Sequence, residues 1–140
     1  MAYALGRCEN MISKGVKLAL AHLFGDYILQ THWMATQKTE RWSPAVVHGL
    51  VYGLCHLPVT RHPAKLAVIA GTHIVLDHYR LAKQLSWAKN QLAPKEYRYD
   101  FDENVAGYPP GTPPWLATWL MIITDNTIHL GINTLATKDD

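Results

Sequence analysis

Three apolar, helix-length stretches of this chain each carry a histidine and an aspartate four residues apart: His22 with Asp26, His73 with Asp77, and Asp125 with His129. On an α-helix that spacing puts both side chains on one face, about 6 Å apart along the axis. A polar group among Leu, Ile and Val must find a partner or cost free energy. Helices packed with these faces inward would give those groups partners in one another. With eight His among 140 residues, chance placement gives about 0.8 such pairs against the three observed. His48 adds an imidazole inside Ala-Val-Val-His-Gly-Leu-Val-Tyr.

The apolar periodicity predicts four helices, at about 11–35, 43–57, 64–92 and 115–137. Pro44 suits a first turn, Pro58 stops the second helix, and Pro113 with Pro114 precedes the fourth. Connections at 36–42 and 58–62 are short enough to join antiparallel neighbours. Residues 93–114, with Tyr97, Tyr99, Phe101 and the run YPPGTPP, read as a long loop. The expected fold is all-α: a four-helix antiparallel bundle with a long loop between helices three and four, as a single helical domain over 1–140.

Charge narrows the function classes. Thirteen Lys+Arg against eleven Asp+Glu leave +2 with no basic run, which argues against nucleic acid as a partner. Cys8 and Cys55 make neither a disulfide framework nor a thiolate zinc site. Arg7 and Glu9 interrupt any secretory signal, so the chain is not expected to be secreted. Two stretches approach the length of a membrane span: 43–60, which is uncharged, and 115–137, whose one charge is Asp125. His48, His56, Asn126, His129 and Asn133 interrupt them, and the mean hydropathy is −0.07. The cytoplasm, the cytoplasmic side of a membrane and integral inner-membrane insertion all stay open.

If the polar stripes face inward, seven side chains converge: His22, Asp26, His48, His73, Asp77, Asp125 and His129. Such a set suits one or two divalent ions, zinc first, with manganese or iron as alternatives. The chemistry that follows is metal-dependent hydrolysis of a small-molecule phosphoester or lipid-like substrate. Asp26 or Asp77 is the candidate general base and Arg80 the candidate phosphate-binding residue, with Lys17 and Lys38 behind it. Gln30 and Asn126 are candidates to orient ligands or water. His32, His56, His62 and His78 read as ordinary surface residues. The alternative is a non-enzymatic, membrane-associated helical protein whose His/Asp groups form a structural metal site or a hydrogen-bonded core. The sequence leaves the oligomeric state open.

These motifs resemble the bacterial and phage family catalogued as domain of unknown function 3307. The matching elements are HLFGDYILQ from His22 to Gln30 followed by Trp33, then His48, THIVLDHYR from Thr72 to Arg80, and DNTIH from Asp125 to His129. Asn126 stands where the family more often has Gln, and 93–114 reads as an insertion. The resemblance implies a small helical membrane protein, in which the His/Asp pattern is similar to that of small membrane-associated metal-dependent hydrolases.

Overall fold

Among the described residues, two backbone breaks turn the four expected helices into six. The computed structural model describes residues 14–103 and 106–139. Helix α1 covers 14–23 and passes into a π-helical turn at Phe24–Ile28, where Leu29 N–H donates to the Phe24 carbonyl at 2.9 Å. The expected start of this helix at Met11 lies outside the described residues, as does Cys8. The single helix expected over 11–35 is interrupted because Thr31 takes an extended backbone and caps a new helix, α2 (His32–Gln37), its hydroxyl accepting from Met34 N–H. Helix α3 spans Trp42–Cys55 and α4 spans Pro63–His78. The expected helix 64–92 breaks after α4. Arg80 adopts the left-handed conformation (φ 52°), and α5 (Leu81–Asn90) starts beyond it. Helix α6 spans Pro114–Ala136, and the expected loop contains two 3-10 turns, Lys95–Tyr97 and Phe101–Glu103. No strand occurs among the described residues, so the fold is all-α.

The described residues form two compact units, the first lying within 1–78 and 129–140 and the second within 79–128. In the first, α3 packs closely on α4 through Gly49 and Gly53. A Cβ on Gly49 would fall 2.2 Å from Ile74 Cγ1, and one on Gly53 would fall 3.0 Å from Ala70 Cβ. Gly25 serves the π turn in the same way, since a Cβ there would meet Tyr52 Cδ2 at 2.7 Å. The interior is unusually polar: His22, His48, His56, His73, His129, Asn133 and Thr137 are buried beside Tyr52, Ile69 and Ala45. The outer faces hold exposed Val16, Leu20, Phe24, Leu50, Leu54 and Val68.

The second unit is organised by aromatic and amide groups. Trp87 Nε1 donates to the Tyr99 carbonyl at 3.1 Å, and Asn90 Nδ2 donates to the Tyr99 hydroxyl and the Gly107 carbonyl, each at 3.1 Å. Gly107 has φ 82°, and a Cβ there would lie 2.5 Å from the Lys83 carbonyl oxygen, so only glycine fits. Among the described residues no helix is long and apolar enough to cross a membrane. Neither 43–60 nor 115–137 therefore provides the span that its hydropathy suggested.

Candidate metal centre

The donor set is assembled by helices α3 and α4 and the π turn. The turn carries Asp26, α3 carries His48, and α4 carries His73 and Asp77 one helical turn apart. All four are buried and offer ligand atoms within 4.8 Å of one another. Asp26 Oδ1 lies 3.2 Å from His48 Nε2 and 3.1 Å from His73 Nε2. Asp77 Oδ2 lies 3.2 Å from each of the same two nitrogens, which are 3.0 Å apart. A tetrahedral zinc with bonds of about 2.0–2.1 Å would separate its donors by about 3.3–3.4 Å. The donor chemistry and spacing fit such an ion.

Hydrogen bonding alone accounts poorly for this cluster. Each Nε2 carries at most one proton, yet five short separations connect these four atoms. Asp26 Oδ1 is buried and makes no hydrogen bond of acceptable geometry despite its two imidazole neighbours.

Outside the four, one proton assignment is self-consistent. His73 Nδ1–H donates to His129 Nδ1 at 3.2 Å, and His129 Nε2–H faces Asp77 Oδ1 at 3.3 Å. That leaves the His73 Nε2 lone pair available to an ion, with His129 orienting both side chains, as groups around metal-bound histidines and carboxylates usually do. On the other side, His22 Nδ1 lies 3.3 Å from Asp26 Oδ2 and 2.9 Å from the Tyr52 hydroxyl. The Tyr52 ring stacks on His73 with centroids 3.6 Å apart. Asn133 Nδ2 donates to the Tyr52 hydroxyl at 2.7 Å and to His56 Nε2 at 3.0 Å, while His56 Nδ1–H donates to the Tyr52 carbonyl at 2.9 Å. His56 is thereby held neutral.

Electrostatics follow from the packing. Burial pushes the Asp26 carboxyl up, but His48 and His73 beside it outweigh burial and hold it below the usual carboxylate range. Asp77 is held well below that range in the same way, with His129, His48 and His73 overriding burial. For His48, burial works against the charged form, yet Asp26 and Asp77 raise its pKa. Burial lowers that of His56.

Of the seven expected ligands, Asp26, His48, His73 and Asp77 meet, while His22 and His129 stand against the outer carboxylate oxygens. Asp125 is half-buried on α6, one turn before His129, and the four-donor group forms without it. Asn126 is half-buried on α6. Arg80 is exposed at the left-handed break, because the helix that would have carried it onto the face of Asp77 ends at His78. Lys17 is exposed. Lys38 instead reaches the cluster, its Nζ donating to Asp77 Oδ2 at 2.6 Å and to Gln30 Oε1 at 2.7 Å.

His32 and His62 are exposed as expected. His56 is fully buried, and His78 is half-buried, stacked on Trp42 and donating from Nδ1 to the Lys38 carbonyl. The residues missed by sequence reasoning, Tyr52, His56 and Asn133, continue the same stripes at steps of four: His48 and Tyr52 on α3 with His56 at its C-cap, and His129 and Asn133 on α6.

The fold and site together define an all-helical protein with a buried His/Asp donor set that could hold a metal ion. Residues 16–102 match the family described as protein of unknown function (DUF3307), and the chain belongs to that family. The match includes the four donors and ends before Asp125 and His129. No curated protein and no solved structure matches the chain.

Proposed function

We propose that this protein is a metal-dependent hydrolase that binds a divalent ion, zinc first with manganese or iron as alternatives, and acts on a phosphoester or lipid-like substrate. The observation that carries the metal reading is the convergence of four buried side chains, Asp26, His48, His73 and Asp77, whose donor atoms lie within 4.8 Å of one another. When bound, the ion supplies Lewis acidity towards a phosphoryl or acyl oxygen. The chain's own groups do the rest. Asp26, His48 and His73 present donors, and His22 and His129 fix the carboxylates. Asp77, kept ionised, accepts a hydrogen bond from water and orients it. Lys38, in place of Arg80, brings the cation to the cluster, its ammonium donating to Asp77 Oδ2.

A second reading keeps the ion structural, within a non-enzymatic helical protein. It is favoured by the four-donor geometry, which can close a tetrahedral shell and leave no position for substrate. In either reading the protein works at a membrane surface; the exposed Leu and Val side chains of α1 and α3, with Phe24 of the π turn, support this placement.

Elemental analysis of protein purified without a His tag tests the metal. One ion per chain is expected in wild type and a loss of most of it in His73→Ala; less than about 0.2 ion per wild-type chain, after reconstitution with zinc, would overturn the reading. A screen of phosphodiester, phosphomonoester and carboxylic ester substrates then separates the two functions. Turnover is expected on at least one class and is abolished by Asp77→Asn, whereas a fully loaded protein inactive on all three favours the structural ion.

A further inference from the structure

Two cations have a claim on Asp77 Oδ2. Lys38 Nζ donates to it at 2.6 Å, closer than either imidazole nitrogen at 3.2 Å. The ammonium is anchored, not loosely apposed. It also donates to Gln30 Oε1 at 2.7 Å, and Gln30 is fixed in turn by donating from Nε2 to the Asp26 carbonyl at 2.9 Å. The lysine's own carbonyl accepts from His78 Nδ1 at 2.9 Å, and His78 is stacked on Trp42 with ring centroids 3.9 Å apart. Backbone and side chain of Lys38 are thus both tied beside the donor set, with the side chain only 18 % exposed.

The charges make the competition consequential. Asp26 and Asp77 bring two negative charges, and a divalent ion neutralises both, so an ammonium retained at Asp77 opposes the ion at close range. An Asp77 committed to Lys38 leaves Asp26 Oδ1, His48 Nε2 and His73 Nε2, which lie 3.0–3.2 Å from one another; Lys38 Nζ also lies 3.4 Å from His48 Nε2, a longer contact than the 2.6 Å to Asp77. Three protein donors with one position open is the composition of catalytic zinc sites, and four donors with none open is that of structural sites.

We propose that Lys38 is the positioning residue that keeps Asp77 out of the metal's ligand shell, so that three protein donors bind the ion and one position stays open to an anionic oxygen of the substrate. This rests on the metal reading above and decides between its catalytic and structural forms. Without the ammonium, Asp77 is released to become a fourth ligand and the shell closes.

Zinc titration of full-length wild type, Lys38→Met, Asp77→Asn, the double variant and His73→Ala tests this. Lys38→Met is expected to bind zinc about tenfold more tightly than wild type. The gain should vanish in the double variant, and Asp77→Asn alone should shift affinity less than about threefold, following the logic of a double-mutant cycle. Lys38→Arg, which keeps the charge, should retain wild-type affinity. In cobalt-loaded protein, inorganic phosphate should alter the visible spectrum of wild type and leave that of Lys38→Met unchanged. If Lys38→Met is poorly folded by circular dichroism, Lys38→Gln takes its place. Equal zinc affinity in wild type and Lys38→Met, or an Asp77→Asn loss as large as that of His73→Ala, would overturn the role of Lys38 with the metal site intact. Failure of wild type and every variant to bind zinc or cobalt would instead remove the metal site itself.

Discussion

Along α3 and its C-cap, His48, Tyr52 and His56 are fully buried, while Leu50 and Leu54 are 56 % and 63 % exposed. One helix therefore presents a polar face inward and an apolar face outward, the reverse of an ordinary surface helix. The inner face persists because almost every group on it is answered. His48 stands between two carboxylates, Tyr52 stacks on His73 and accepts from Asn133, and His56 is bonded at both ring nitrogens. The exception is His48 Nδ1, which is buried without a hydrogen-bond partner among the described residues. The contrast teaches that this core is assembled by charge and hydrogen bonding, with close glycine contacts to α4 on a third face. Its stability should accordingly respond to ionisation and to cations, and much less to the outer leucines.

The largest effect should come from breaking the inner face at its centre. His48→Ala leaves Asp26 and Asp77 without the imidazole that separates them, and stranding one partner of a buried ionic group costs about 3–5 kcal/mol. Urea denaturation should show a loss in that range together with lowered zinc content. A loss below about 1 kcal/mol would mean that the carboxylates are solvated after all.

A smaller, pH-dependent effect should appear one face-repeat further on, at His56. Burial holds its pKa below the ordinary 6.5, so it favours the folded state when neutral. The contribution is fully present above the unfolded value and is lost as pH falls through 6.5 towards the lower folded value. The stability difference between wild type and His56→Gln should thus favour wild type most above pH 7. It should shrink towards pH 5 with a slope of at most about 1.4 kcal/mol per pH unit. Measuring urea midpoints of both proteins across that window cancels the titrations they share, and a difference that grows on acidification would contradict a neutral buried His56.

Much of this inner face was legible in the chain. The i,i+4 pairs His22/Asp26 and His73/Asp77, with His48, located the donors because helical spacing converts directly into a shared face. Tyr52, His56 and Asn133 obey the same spacing, but a tyrosine or asparagine in an apolar helix has too many ordinary roles to stand out. The breaks were harder. Thr31 as a cap and Arg80 in a left-handed conformation depend on local backbone choices that apolar periodicity does not encode. Those breaks in turn changed which cation reaches the cluster: with α4 ending at His78, Arg80 left the stripe, and the turn after α2 delivered Lys38. Lys38 lies 39 residues from Asp77, so no periodicity within one helix could have paired them.

The smallest effect on stability belongs to the outer face. Leu54 is 63 % exposed, so replacing it removes little buried apolar surface, and Leu54→Ser should change unfolding stability by no more than about 0.5 kcal/mol. What it should change is surface affinity. Leu50, Leu54 and Leu57 lie at spacings of three and four on α3 and the turn after it, all of them exposed. An apolar patch of this kind is favourable at a lipid interface and unfavourable in water. Cosedimentation with phospholipid vesicles should therefore be weaker for Leu54→Ser than for wild type, at equal thermal stability. If Leu54→Ser instead destabilised the fold by more than about 1 kcal/mol, the outer face would be covered within the protein, and the inversion of α3 would be lost.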